Sequence, residues 1–93
     1  MYQKTIDFGK LPNTSDKRVR HNISNLKDIL VMYGVAVFTR DGNRLSIPLP
    51  NVGSENKNNI ALYRNSTDIG VTTYNDRSMC DGYIIIQYTK TTD

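Results

Sequence analysis

Side chains able to do chemistry are scarce in this chain, and the scarcity narrows the reading. There is one histidine, His21, and one cysteine, Cys80. A zinc site needs three or four His, Cys or carboxylate ligands, so this pair argues against one. Cys80 as a nucleophile would need a base within hydrogen-bond reach, and His21 is the sole histidine to supply it. His21 alternates with Val19 and Ile23, which puts it on an apolar face. A buried, hydrogen-bonded structural histidine is therefore the plainer reading, as is an ordinary thiol near a turn for Cys80. Asp76 and Asp81, with Asn side chains nearby, match no calcium loop such as the EF-hand. The same two residues are the one carboxylate pair to nominate for glycoside hydrolysis. No catalytic set, metal or cofactor is expected, and the chain is not expected to be an enzyme.

The most site-like cluster is Tyr74, Asn75, Asp76 and Arg77. A ring, an amide, a carboxylate and a guanidinium on one exposed turn suit a polyhydroxylated ligand. Sugars present C–H faces that pack on tyrosine and hydroxyls that bond to Asp, Asn and Arg. The competing reading is a turn held by an Asp76–Arg77 contact or by an Asx-type hydrogen bond. The Asn-rich loop from Asn51 to Asn59 is a second candidate with the same competitor. Lys17, Arg18, Arg20 and Lys27 could meet phosphates, yet alternation puts Arg18 and Arg20 on a solvated strand face. No aromatic platform interleaves with them, and a net charge of +3 is far from a dense basic stripe. Nucleic acid is not an expected partner. Asn13-Thr14-Ser15, Asn22-Ile23-Ser24 and Asn65-Ser66-Thr67 match the glycosylation acceptor pattern. In an Asn- and Ser/Thr-rich chain that pattern arises by chance and is assigned no role.

The elements that must position these residues read as strands. Tyr2 to Phe8 alternates, with Tyr2, Lys4, Ile6 and Phe8 on one face, and Gly9 to Thr14 breaks it. Asp16 to Ile23 alternates again, followed by a short turn at Ser24-Asn25-Leu26, read as a single helical turn capped by Ser24. Lys27 to Thr39 is rich in β-branched and aromatic residues, and Gly34 disfavours a helix there by roughly 1 kcal/mol. Its two faces, Ile29, Val31, Tyr33, Val35, Val37 and Leu30, Met32, Ala36, Phe38, are both apolar, which predicts a central strand with a bulge or bend at Gly34. Asp41-Gly42 signals a hairpin into a strand from Arg44 to Leu49, placed at a sheet edge by Pro48 and Pro50. Asn51 to Asn59 reads as the most mobile loop. Short strands follow at Ile60 to Arg64 and Asp68 to Tyr74. After the turn from Asn75 to Gly82 comes the most convincing strand, Tyr83 to Lys90, which is again apolar on both faces.

About seven strands with turns every eight to twelve residues predict an all-β fold, a single antiparallel β-sandwich or jelly-roll-like barrel. With 93 residues the expected domain count is one, spanning 1–93. A domain of this size buries roughly 60–65% of the surface its unfolded chain exposes. There is no tryptophan, six tyrosines serve instead, and a lone cysteine forms no internal disulfide. No apolar run approaches the ~20 residues that span a bilayer, and no signal-peptide pattern opens the chain. Membrane insertion is not expected. A strand that is apolar on both faces needs cover on both sides. One side of Ile29 to Val37, or Tyr83, Ile85 and Gln87, is expected to bury against sister subunits.

Three segments carry a resemblance. Tyr2-Gln3-Lys4-Thr5-Ile6-Asp7-Phe8-Gly9-Lys10-Leu11-Pro12-Asn13 resembles a recurrent C-terminal module of bacteriophage and prophage tail proteins, in which the run is roughly Tyr-Arg-Lys-(Val/Thr)-Ile-Asp-Phe-Gly-Ala-Leu-Pro-Asn. Lys17-Arg18-Val19-Arg20-His21-Asn22-Ile23-Ser24-Asn25-Leu26 is similar to the module's Lys-x-Val-x-His-Gly-Ile-x-Asn-Leu. Gly82-Tyr83, Tyr88-Thr89-Lys90 and Asp93 match its close. Lys10 and Asn22 depart from the pattern, where a small residue and a glycine are usual. Asn22 tolerates the left-handed backbone a glycine would adopt. The resemblance implies a receptor-binding module of a phage tail fibre or baseplate, located in the virion and acting at the host cell surface. Host cell-surface polysaccharide, sister subunits of a homotrimer and other phage tail proteins are the implied partners. It carries over no binding residues. A structural tail or baseplate component that mediates protein–protein assembly is the alternative.

Overall fold

Alternation of apolar and polar residues is resolved here into two antiparallel sheets. The computed structural model describes residues 1–52, 55 and 58–92. Seven strands run in chain order: β1 (Tyr2–Lys10), β2 (Asp16–Arg20), β3 (Leu26–Arg40), β4 (Asn43–Leu49), β5 (Ile60–Arg64), β6 (Asp68–Thr73) and β7 (Asp81–Lys90). One sheet has the order β1-β7-β3-β4 and the other β2-β6-β5. Together they form a small β-sandwich. The sheets are stitched at their edges, where Asn51 pairs with Ile60 and Asn13 with Asp76.

The core lies between the sheets. Ile6, Phe8, Leu11, Ala36, Ile84, Ile86 and Tyr88 enter from the four-stranded side, and Ile60, Ile69 and Val71 from the other. Ile84, Ile86, Ile69 and Val71 are fully buried. Each such side chain is worth roughly 1.5–3 kcal/mol relative to exposure. With no disulfide to help, this packing and the strand ladders hold the fold. The expected inner face of the last strand, Ile84, Ile86 and Tyr88, is the face that packs.

The Asp41-Gly42 hairpin forms as predicted. Both residues take positive φ, 52° and 79°, and Arg40 faces Asn43 across the turn. That backbone matches the twist of the flanking strands, and Gly is one of the few residues at ease there. β4, which carries Pro48, lies at the sheet edge. β3 and β7 are internal, as two apolar faces require.

β1 runs on through Gly9 and Lys10, expected to break it, β7 begins at Asp81 inside the expected turn, and four further details differ from the sequence expectations. First, β3 does not alternate strictly. A register shift between Ile29 and Val31 inserts a residue, so Ile29 packs towards the core while Leu30 is 54% exposed. Second, Gly34 marks no bend or bulge. It marks a close approach, since a Cβ there would lie 2.3 Å from the Tyr83 carbonyl oxygen. Third, β2 ends at Arg20 and not at Ile23, because Asn22 takes a φ of 55°. Fourth, Ser24 caps no helical turn. A tight turn with Asn25 at a φ of 58° leads straight into β3. The expected mobility of the Asn51–Asn59 loop rests largely on Gly53, Ser54, Asn56 and Lys57, which lie outside the described residues.

Candidate functional site

Two of the cavities among the described residues lie at opposite ends of the sandwich. At one end β2 runs out at Arg20 and β6 begins at Asp68, its register partner. Here the loop after β2 and the β5–β6 turn enclose a pocket of about 350 Å³. That lies within the usual size range of ligand sites, roughly 300–1,000 Å³. Arg20, Asn22, Ser24, Ser66 and Thr67 supply its polar lining, with His21 and Ile23 beside them.

His21 explains why this pocket has a fixed shape. It is buried, 3% exposed. Its Nδ1 accepts the amide hydrogen of Ile23 at 3.1 Å. Its Nε2 lies 3.0 Å from the carbonyl oxygen of Ser66. A carbonyl only accepts, so the ring proton sits on Nε2 and is donated to Ser66. One ring thus ties the two loops together. The His21 amide donates to the Thr67 carbonyl, and Lys4 Nζ donates to the His21 carbonyl at 2.8 Å. The facing turn is stiffened by Asn65, whose Oδ1 accepts from the amides of Thr67 and Asp68. Asn22 reaches its φ of 55° without the full penalty a β-branched residue would meet.

What lines the pocket is then free to bind. Among the described residues, the side chains of Arg20, Asn22, Ser24 and Ser66 have no hydrogen-bond or ionic partner. Arg18, predicted to share a solvated face with Arg20, behaves differently. Its Nε donates to the Tyr63 hydroxyl at 3.1 Å and pairs with Asp16 at 3.5 Å. Tyr63 donates to the same carboxylate, as does Thr72 at 3.2 Å. The hydrogen bond from Tyr63, more than any other contact, holds the Asp16 pKa below its ordinary value. That cluster is satisfied internally, whereas the Arg20 guanidinium is not.

The predicted cluster lies at the other end, after β6, and its members separate. Tyr74 is 50% exposed and makes none of the ring contacts seen elsewhere in the chain. Asn75 Oδ1 accepts the Asp76 amide at 2.9 Å. Asp76 Oδ1 accepts from the Ser78 amide at 2.9 Å and the Ser78 hydroxyl at 2.6 Å. This is the Asx-type turn weighed above, and the Ser78 hydroxyl bond is the main cause of a lowered Asp76 pKa. Arg77 turns to a second cavity, about 170 Å³, with Phe38, Thr39, Arg40, Met79 and Cys80. Tyr74, Asn75 and Asp76 line none of it. Cys80 is 1% exposed, and burial raises its thiol pKa, so it stays protonated. Asp81, the nominal partner of Asp76 for hydrolysis, is engaged by Lys10 at 3.3 Å and Arg44 at 3.9 Å.

Among the described residues no three His, Cys, Asp or Glu side chains come together as a metal site. The sequence reading weighed Arg20 for phosphate contact but set it on a solvated face, and it gave Asn22, Ser24 and Ser66 no binding role. The one sequence hint was that two acceptor-like triplets, Asn22-Ile23-Ser24 and Asn65-Ser66-Thr67, cluster amide and hydroxyl groups; the fold makes them face each other. No known protein family, curated protein or solved structure matches the chain.

Proposed function

We propose that this chain is a receptor-binding module of a phage tail fibre or baseplate, which attaches to host cell-surface carbohydrate without chemical change. The observation that carries the carbohydrate half is the pocket at the His21 end. It offers a guanidinium, an amide and two hydroxyls that have no partner among the described residues, on a frame fixed by a buried ring. Sugar hydroxyls need such mixed donors and acceptors at fixed spacing. The tail half rests on the three segments that resemble phage tail modules, which follow one another in the module's order from the first strand to the chain's last residues. Tyr74 and its turn remain a second contact region for a long polysaccharide.

The test is binding of host cell-wall polysaccharide, or of a glycan panel, to the 93-residue chain and to a double variant, Arg20→Ala with Ser66→Ala. Both residues are exposed, so stability should stay within about 0.5 kcal/mol per site. Binding should weaken at least tenfold. Silence of the parent chain across the panel would overturn the reading.

A second reading, a structural tail component, is favoured by a different surface. On the outer face of the four-stranded sheet Val35 lies opposite Tyr83, and Tyr33 opposite Ile85. Val31 faces Gln87 in the next row. Tyr33 is 45% exposed and Val31 40%. The two surfaces expected to meet sister subunits are thus one continuous patch. Sister copies in a homotrimer are the cover we propose for it, and light scattering showing a stable monomer at micromolar concentration would remove the obligate trimer.

A further inference from the structure

We propose that the cavity at the Arg77 end binds an anion, the carboxylate or phosphate of an acidic saccharide, between Arg40 and Arg77. The saccharide part rests on the function proposed above; the anion part does not.

The charges at this end are unevenly used. Asp76 is engaged by Ser78 and Asp81 by Lys10 and Arg44. Among the described residues neither guanidinium lining the cavity forms an ion pair with a carboxylate, Asp41 beside Arg40 included. Arg40 lies over the Phe38 ring, its Cζ 5.7 Å from the centroid. The Nε of Arg77 is buried and has no hydrogen-bond acceptor. A buried donor without an acceptor is costly, and a charged one more so. Two like charges beside a partly enclosed cavity raise the cost further. Water would relieve it poorly, because Phe38, Met79 and Cys80 offer it few strong partners. An anion relieves both problems together. Arginine forks match carboxylate and phosphate oxygens in pairs. The apolar wall suits the C–H face of the ring that carries the acid. At about 170 Å³ the space takes a charged substituent and adjoining atoms. A whole ring fits better at the larger His21 end. A polysaccharide with acidic branches would use both.

The experiment follows backbone amide shifts of the whole chain during titration with glucuronate, inorganic phosphate, acetate and neutral glucose at constant ionic strength. The expected result is that the anions shift residues 38–40 and 77–80, with glucuronate binding tighter than acetate, and that glucose does not. Arg77→Gln should weaken glucuronate binding at least tenfold and Arg40→Gln several-fold. Arg77→Lys should fall between, since lysine keeps the charge and loses the fork. Absent shifts, equal affinity in both Gln variants, or equal shifts with glucose would overturn the anion site. Glucuronate binding no tighter than acetate would overturn the saccharide assignment alone. Failure of the parent chain to bind host polysaccharide would overturn the proposed function and leave the anion result intact.

Discussion

The two ends of the sandwich solve the same local problem in opposite ways. Each must close a gap where strands run out and loops cross between sheets. At the His21 end the closure is made by a buried polar group whose bonds are all answered: one ring joins the amide of Ile23 to the carbonyl of Ser66. At the Arg77 end a guanidinium nitrogen is left unanswered; the other such atom among the described residues is a neutral hydroxyl, Thr89 Oγ1, near the far end of β7. The first arrangement stabilises the apo fold and leaves its free groups, Arg20, Asn22, Ser24 and Ser66, facing outward. The second holds the fold in a less favourable state that a ligand would relieve. The two proposed surfaces are thus marked in different ways: one by spare groups on a satisfied frame, the other by an unsatisfied group within the frame itself.

The sharpest way to break this contrast is His21→Ala. It removes both ring bonds at once and strands a carbonyl and an amide, so unfolding in urea should show a loss of about 2–3 kcal/mol. A loss under about 0.5 kcal/mol would mean that the ring does not organise that end. Arg77→Met should move the other way. It removes a guanidinium whose buried Nε lacks an acceptor while keeping apolar volume, and the same measurement should show stability unchanged or raised by up to about 1 kcal/mol. Destabilisation by more than about 1 kcal/mol would show that Arg77 is a structural partner and erase the difference between the ends.

The smallest effect is a pH dependence. The folded pKa of Asp76 lies below its ordinary value, chiefly through the Ser78 hydroxyl and then the Ser78 amide. Its contribution is therefore complete above the unfolded Asp pKa of about 3.9, and is lost as pH falls through the lower folded value. Protection of the Ser78 amide from hydrogen exchange, corrected for the intrinsic rate, should fall only in that acid range. In Asp76→Asn that step should disappear. A protection step near neutral pH would contradict the turn described here.

Much of the fold was legible because it depends on local rules. Alternation along Tyr2–Phe8, the apolar β-branched run of Tyr83–Lys90, β-branched density in β3 and the Asp41-Gly42 turn each report a backbone preference that neighbouring residues enforce. The burial of His21 followed from its place between Val19 and Ile23. The bulge near Leu30 was not legible, because an inserted residue leaves the alternation readable on either side and only the register with β7 reveals it. Gly34 was misread for a similar reason: its requirement comes from the Tyr83 carbonyl, 49 positions away in sequence (83 − 34).

The candidate sites divide along the same line. Composition and order by themselves determined an all-β chain and a polar turn at Tyr74–Arg77. They also determined a mild positive charge and a shortage of catalytic groups. Those properties are sums or short patterns. Tertiary structure alone decided that Arg18 would be absorbed by Asp16 and Tyr63 while Arg20 makes no such contact among the described residues, and that Arg77 would join Arg40. Whether a polar side chain is spent or spare depends on partners brought in by strand pairing. Two arginines two residues apart on one strand therefore carry the same sequence signal and different chemistry.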